Sequence, residues 1–269
     1  MLRRCLFLFV PVAAIAVAVT SFVHAAEKPL IRAHAHNDYL HERPLLDALD
    51  HGFCSVEADI FLVDGELLVA HTKRELSPER TLRTLYLDPL RQQINDNGGR
   101  VYKDGPELTL LIDIKNSGEE AWVELNKLLA SYAEVFSRVE DGRFHPGPAN
   151  AIVSGDRAWD LIAATSPRYA GVDGRVSDIG SDRPVHLMPL ISDNWRLHFK
   201  WRGDGKFPKK QRRKLHRLVS QTHEEGRRIR FWASPDVPAV WKELNAAQAD
   251  LINTDDLPGL SDFLRTNQD

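Results

Sequence analysis

Apolar positions in this chain fall into short runs of strand character, separated by stretches with helical spacing. Segment 29–35 (PLIRAHA) is the first such run, and Pro44 then opens a helical stretch with Leu45, Leu46 and Leu49 on one face. Segments 53–63 (FCSVEADIFLV) and 66–72 (ELLVAHT) flank the turn Asp64-Gly65, the pattern of a strand that continues into a hairpin. Segment 108–116 (LTLLIDIKN) is a nearly continuous apolar run, as expected of a strand covered on both faces. Further strand patterns follow at 150–155 (NAIVSG), 169–175 (YAGVDGR), 185–192 (VHLMPLIS), 228–234 (RIRFWAS) and 249–255 (ADLINTD). Helical spacing separates most of them, from Glu119 to about Val139 and at 158–164, 209–225, 240–249 and 260–266.

Eight strands alternating with helices predict an α/β chain of one domain, a closed (β/α)8 TIM barrel with a small hairpin after its second strand. Two segments exceed the minimal repeat: 73–103, and 194–210 (NWRLHFKWRGDGKFPKK). Both are expected as inserted loops or lids at the C-terminal face, where barrels of this kind build their active sites.

The first 25 residues have a different pattern. Arg3 and Arg4 precede an apolar run from Leu6 to Val19, and Val23-His24-Ala25 supplies small residues for signal peptidase. The run is short for a membrane span, which needs roughly 20 apolar residues. The reading is a signal peptide over 1–25, an exported (periplasmic or secreted) protein, and one domain over 26–269. The chain of 269 residues has 35 basic residues, less Arg3 and Arg4, against 38 acidic ones, a mature net charge of about −5. That balance excludes general nucleic-acid binding, which needs a basic footprint. Cys5 leaves with the signal, so Cys54 stands alone, no internal disulfide forms, and Cys54 reads as a small buried strand residue.

Chemistry-bearing residues gather at the ends of the predicted strands. The first strand runs into His34-Ala35-His36-Asn37-Asp38; the second carries Glu57 and Asp59, two apart and therefore on one face. His71 ends the hairpin, and Asp113 and Lys115 share a face of the next strand. Acids inside apolar strands are costly unless paired or bound to a cation. Three converging carboxylates suit Mg2+ or Ca2+, which prefer oxygen ligands.

The stretches AHAHN, SVEADIFLVDGELLVAHT, LLIDIK and FWASPD…ADLINTDDLPGL resemble the phospholipase-C-like phosphodiesterase superfamily, which includes the glycerophosphodiester phosphodiesterases. The likeness spans nearly the whole mature chain, and the nearest branch opens with His-x-His-Asn-Asp-Tyr, that of altered inheritance of mitochondria protein 6. The resemblance implies Glu57, Asp59 and Asp113 as metal ligands, with Mg2+ or Ca2+ as the divalent cofactor. It implies His71 as one catalytic histidine and leaves the other open between His34 and His36. His34 is favoured, with His36 and Asn37 then contacting substrate phosphate; Lys115 matches a family lysine that faces that phosphate. Where glycerophosphodiesterases carry His-Arg-Gly and Pro-Glu-Asn-Thr, this chain has HAHNDYLHERP, which puts glycerophosphodiesters in doubt as substrate.

The implied activity is metal-dependent phosphodiester cleavage by a phosphoric diester hydrolase, with two histidines as acid and base because imidazole titrates near neutrality. The expected partner is a small-molecule or lipid-head-group phosphodiester; no feature calls for a membrane contact. Trp232, ending a predicted strand, is read equally as core packing and as a substrate-stacking residue. The basic run 209–217 (KKQRRKLHR) has the spacing of a solvated helix face. Asp38 and Tyr39 suit a cap on the following helix and equally a direct role in the site, and Asp255 suits either a cap or an orienting role. Asp173, Arg175, Ser192 and Asn194, also at strand ends, are weaker pocket candidates. Two other functions compete. In an amidohydrolase- or PHP-like hydrolase, His34 and His36 would bind Zn2+; in a non-catalytic exported barrel, the site would bind without turnover. The first requires further histidines ending later strands, and none is there.

Overall fold

The computed structural model describes residues 28–267, so the expected signal segment 1–25 lies outside the described residues. Strands β1 (Leu30–Ala35), β2 (Phe53–Val63), β3 (Glu66–Val69) and β4 (Leu108–Ile114) build the first part of the sheet. β5 (Arg138–Glu140) and β6 (Arg143–His145) form a separate antiparallel hairpin. β7 (Ala149–Gly155), β8 (Ala170–Gly174), β9 (Leu190–Asn194), β10 (Arg228–Trp232) and β11 (Ile252–Thr254) complete the sheet.

The strand order is β10-β9-β8-β7-β4-β2-β1-β11, parallel throughout, with β3 antiparallel on β2. A parallel bridge between Arg230 and Leu251 joins the two ends of that order. The result is the predicted TIM barrel, with the hairpin after its second strand. Helices α1 (Leu46–Asp50), α2 (Asp88–Asp96), α3 (Gly118–Ala130), α4 (Trp159–Ala164), α5 (Trp195–His198), α6 (Lys209–Glu224), α7 (Pro238–Ala246) and α8 (Leu257–Thr266) follow or separate the strands. None is long and apolar enough to cross a membrane.

Side-chain alternation divides the strands into two faces. Outward residues such as Val56, Ala58, Ile112 and Val153 pack in the main core beneath the helices. Leu111, Ile152, Leu190 and Leu251 form a second, smaller apolar cluster, contributed by strands around the barrel. Polar inward residues lie on both sides of it: Asp113, Ser154 and Ser192 toward the C-terminal mouth, Thr109 and Asn150 toward the opposite end. The apolar layer thus separates the two ends of the barrel interior.

Three expectations need correction. Helix α3 stops at Ala130, short of Val139, because the chain beyond it turns to bridge the start of β7 at Phe136–Ala149 and then forms the β5–β6 hairpin. Segment 73–103 is not a lid: a π-helical turn, Arg83–Leu87, leads into α2, and Leu82, Tyr86, Leu87, Leu90 and Ile94 are buried in the core. Segment 194–210 is likewise packed. Trp195, Phe199, Trp201 and Phe207 form an aromatic cluster that reaches Phe231 of β10, with Trp195 and Phe199 rings 4.2 Å apart. Cys54 is buried, as expected.

Trp195 is fully buried and its indole N–H donates to the Trp201 carbonyl at 3.0 Å. Trp195→Ala is expected to cost about 3–5 kcal/mol of stability in urea denaturation; a loss under about 1 kcal/mol would mean that this segment is not part of the core.

Candidate active site

Glu57 and Asp59 occupy alternate inward positions of β2, and parallel register sets Asp113 of β4 directly beside Asp59. One carboxylate oxygen from each of the three lies within 4.8 Å of the others. Glu57 and Asp59 are buried and Asp113 is half-buried. Burial pushes the Asp113 carboxyl up to about 6; Lys115 opposes that shift, and the charges of Asp59 and Glu57 add to it. Lys115 Nζ lies 2.8 Å from Asp59 Oδ2 and 3.3 Å from Asp113 Oδ1. Asp59 Oδ1 is buried without a hydrogen-bond partner. An orphaned carboxylate oxygen inside a cluster of three acids is what a divalent cation satisfies, and an all-oxygen donor set matches a hard cation. The cluster therefore fits a metal ion held by Glu57, Asp59 and Asp113.

Gly155 makes room for this arrangement. It adopts φ +72° at the end of β7, and a Cβ there would stand 2.2 Å from Asp113 Oδ1 and 2.3 Å from the Ile114 carbonyl. Only glycine both tolerates that backbone and leaves the carboxylate in place.

Glu57 is anchored from its other side by Arg230 of β10, whose Nη2 donates to Glu57 Oε2 at 2.5 Å while Nε donates to Asn253 Oδ1 at 2.8 Å. His34 completes this buried group, with Nδ1 2.7 Å from Ser55 Oγ and Nε2 3.1 Å from Glu57 Oε2. Here the structure corrects the sequence reading. His34 is 0% exposed, both of its nitrogens are engaged, and burial together with the Arg230 charge lowers its pKa to about 3. It is a neutral packing and hydrogen-bonding residue beneath the site rather than the one that faces the mouth.

His36 is the histidine at the mouth. Its side chain is 32% exposed, and Nδ1 lies 2.9 Å from Asp255 Oδ1 just past β11. Burial pulls its pKa down, but the Asp255 hydrogen bond and the Glu57 and Asp255 charges outweigh that and raise it. The Asn37 amide nitrogen lies 2.8 Å from His36 Nδ1 and 3.2 Å from Asp255 Oδ1. His71 is on the opposite flank, with Nδ1 3.0 Å from Asp59 Oδ2 and 2.9 Å from the Tyr39 hydroxyl. That hydroxyl also lies 2.7 Å from Asn37 Oδ1 and 2.8 Å from Asp59 Oδ2, so Tyr39 ties both flanks to the carboxylates. Asp38, by contrast, serves the backbone, its Oδ2 accepting from Leu45 N at 2.6 Å.

Trp232 ends β10 at the same barrel end, half-buried and paired in register with Asn194. The weaker candidates are in structural roles. Asp173 is fully buried between Arg157, Arg175 and Ser154, the Ser192 carbonyl accepts from Arg175, and Asn194 caps α5. Arg230 is the site residue that the sequence reading missed, and of the two readings open for Tyr39 its hydroxyl takes the one within the site. Two arginines at alternate, inward positions of the strand RIRFW were the available signal for it.

Comparison with known proteins agrees with this geometry. Residues 24–172 match the AIM6-like phosphodiesterase domain, and residues 228–258 match the glycerophosphoryl diester phosphodiesterase family. The chain is 30% identical over 273 residues to altered inheritance of mitochondria protein 6 of Eremothecium gossypii, covering 87% of this chain and 69% of that protein. It is 27% identical over 261 residues to the homolog of that protein in Arthroderma benhamiae, covering 84% and 82%. A crystal structure of a glycerophosphodiester phosphodiesterase from Parabacteroides distasonis superposes with a TM-score of 0.51 at 13% identity, covering 90% of this chain and 100% of that one. This last likeness shows the fold.

Two outcomes are expected. A raised carboxyl pKa favours the folded state below the unfolded value of about 3.9, and that advantage is lost as pH rises through the folded value. With chelator present, Asp113→Asn should match wild-type stability near pH 4 and exceed it near pH 7.5 by on the order of 2 kcal/mol in urea denaturation. Equal stability at both pH values would show that the Asp113 charge carries no penalty. Gly155→Ala should displace Asp113 and weaken divalent-cation binding in calorimetry by about 10- to 100-fold; unchanged affinity would remove Asp113 from the ligand set.

Proposed function

From the membership of this chain in the AIM6-like phosphodiesterase family, we propose that it cleaves phosphodiesters of the glycerophosphodiester or phospholipid type. One observation carries the reading: three carboxylates within 4.8 Å of one another, one with an orphaned oxygen, lie between two mouth histidines. Nε2 of His36 and of His71 makes no hydrogen bond within the described residues.

Glu57, Asp59 and Asp113 would hold Mg2+ or Ca2+. The bound cation would neutralise the phosphodiester and polarise its phosphoryl oxygen. Lys115, already against Asp59 and Asp113, is positioned to contact the same anion. Asp255 accepts from His36 Nδ1, which leaves Nε2 toward the mouth and favours the imidazolium, so His36 suits the role of proton donor to the leaving oxygen. His71, with Nδ1 against Asp59 and Tyr39, presents Nε2 as the base for the attacking hydroxyl. Asn37 donates to Asp255 and accepts from Tyr39, so it fixes the partners of both histidines, whereas Trp232 offers a partly open aromatic face at the rim. Departure from His-Arg-Gly at the first histidine directs the screen beyond glycerol diesters to lipid head groups. Export through segment 1–25 remains part of the proposal.

The zinc alternative draws no support from the geometry. His34 is turned inward to Ser55 and Glu57, His36 outward to Asp255, and the two join no third ligand among the described residues.

The test is hydrolysis of bis-p-nitrophenyl phosphate and of a lipid-head-group panel, with chelator and then with Mg2+, Ca2+, Mn2+ or Zn2+ restored. His36→Ala and His71→Ala should each lower kcat by roughly 10²- to 10⁴-fold, and chelation should abolish turnover. Full activity in chelator, or in His36→Ala, would sink the assignment.

A further inference from the structure

We infer that the end of the barrel opposite the catalytic mouth is a second binding site, for an amphiphilic organic anion held through its phosphate or carboxylate by Arg168 and Arg228. A cavity of about 1160 Å³ opens there among the beginnings of the parallel strands, and both arginines line it. Pockets for drug-sized ligands run to roughly 300–1,000 Å³, so a ligand with a substantial body fits.

The charges carry the inference. Arg168 is 4% exposed, and its partners are all neutral: Nε donates to the Ala170 carbonyl at 3.0 Å, and Nη2 lies 3.2 Å from the His186 carbonyl and 2.9 Å from His186 Nδ1. Burial and the Arg168 charge lower the pKa of His186, which keeps that imidazole neutral. Arg228 projects inward from β10 and donates through Nη1 to Thr109 Oγ1 of β4 at 2.9 Å. Neither guanidinium has an ion pair among the described residues; Arg168 is buried, whereas Arg228 is half-buried and feels the charges of Asp250 and Glu107 from beyond contact distance. At the rim, Arg32 bonds Asn245 and Gln248, and Arg100 bonds the Gly105 carbonyl, again without a carboxylate.

The two acids that line the cavity are already engaged. Glu107 accepts from the Asn150 amide at 2.6 Å, and Asp250 from His223 Nε2 and Ile229 N, each at 2.8 Å. Burial lowers the pKa of Arg168 and Arg228, yet arginine stays protonated in proteins. For Arg168, buried among neutral partners, a charge without a counter-ion is costly. Guanidinium forks match phosphate and carboxylate oxygens in geometry, so an entering anion removes that cost.

The apolar half of the ligand follows from the same walls. Ile31, Phe144 and Val185 line the cavity and are 65%, 50% and 42% exposed. The layer of Leu111, Ile152, Leu190 and Leu251 closes the interior between this cavity and the carboxylates at the mouth. The two sites are therefore independent, and this inference does not rest on the proposed phosphodiesterase activity.

The experiment is calorimetry and thermal unfolding of the full chain with octyl phosphate, octanoate and inorganic phosphate, in chelator to silence the mouth. Wild type, His71→Ala, Arg168→Gln and Arg228→Gln are compared. The expected result is saturable 1:1 binding of an octyl anion with a rise in Tm in wild type and His71→Ala, weakened at least about tenfold in either arginine variant. Arg228→Gln without ligand should unfold at about the wild-type temperature, since Arg228 is half-buried, makes no ion pair, and glutamine keeps a donor for Thr109; this separates lost binding from lost folding. No saturable binding of any probe, or binding that survives in both arginine variants, overturns the site. Equal affinity for inorganic phosphate overturns the amphiphile assignment.

Discussion

The active end of this barrel depends on the contact between Glu57 and Arg230, 2.5 Å apart and both buried, which reaches across the interior from β2 to β10. Taking two such charges out of water costs several kcal/mol per ion unless they meet each other and the remaining polar atoms find partners. Here they do: Arg230 also donates to Asn253, and His34 sits against Glu57. Burial alone would raise the Glu57 carboxyl, but Arg230 and then His34 hold it far below the usual carboxylate range. Glu57 is thus a permanent anion fixed through Oε2 and aimed beside Asp59 and Asp113. Without that fixture, the acid cluster would have no defined third corner.

The site stores electrostatic tension that a cation relieves. Asp59 is shared by Lys115, Tyr39 and His71 through Oδ2 alone, while Oδ1 is unsatisfied. Gly155 yields the space that brings Asp113 alongside. The arrangement is poorer for the metal-free fold than neutral residues would be, the usual relation between a functional site and the stability of its scaffold. The opposite end of the barrel carries the other sign, with Arg168 buried among neutral partners and Arg228 half-buried beside it in the same cavity. One apolar layer lies between the two ends.

Much of this was legible in the residue pattern. Strand-and-helix alternation identified the barrel and the β2–β3 hairpin, and the two-residue spacing of Glu57 and Asp59 put both on the inward face. The same pattern put Asp113, Lys115 and His71 at strand ends, the family resemblance gave them roles, and all three meet at one mouth. The choice between His34 and His36 was not legible. Both alternate to the same side of an extended chain, and their difference is depth: His34 pairs with Ser55 inside β2, whereas His36 lies beyond the strand end and meets Asp255 from the far end of the chain. Arg230 was missed for the same reason, since it acts on Glu57, which is distant in sequence. The segments 73–103 and 194–210 looked like lids because their aromatics and apolar residues lack strand period; in space they pack as core.

The sequence by itself determined which residues face inward and which chemistry they carry, because side-chain direction along a strand has a period of two whatever surrounds it. Only the closed barrel decided depth, pairing and charge. Strand register and closure set which inward residue reaches water, which carboxylate meets which arginine, and which oxygen is left without a partner. Those are properties of strands far apart in sequence, neighbours such as β1 and β11 or facing ones such as β2 and β10, and no local pattern in the chain encodes them.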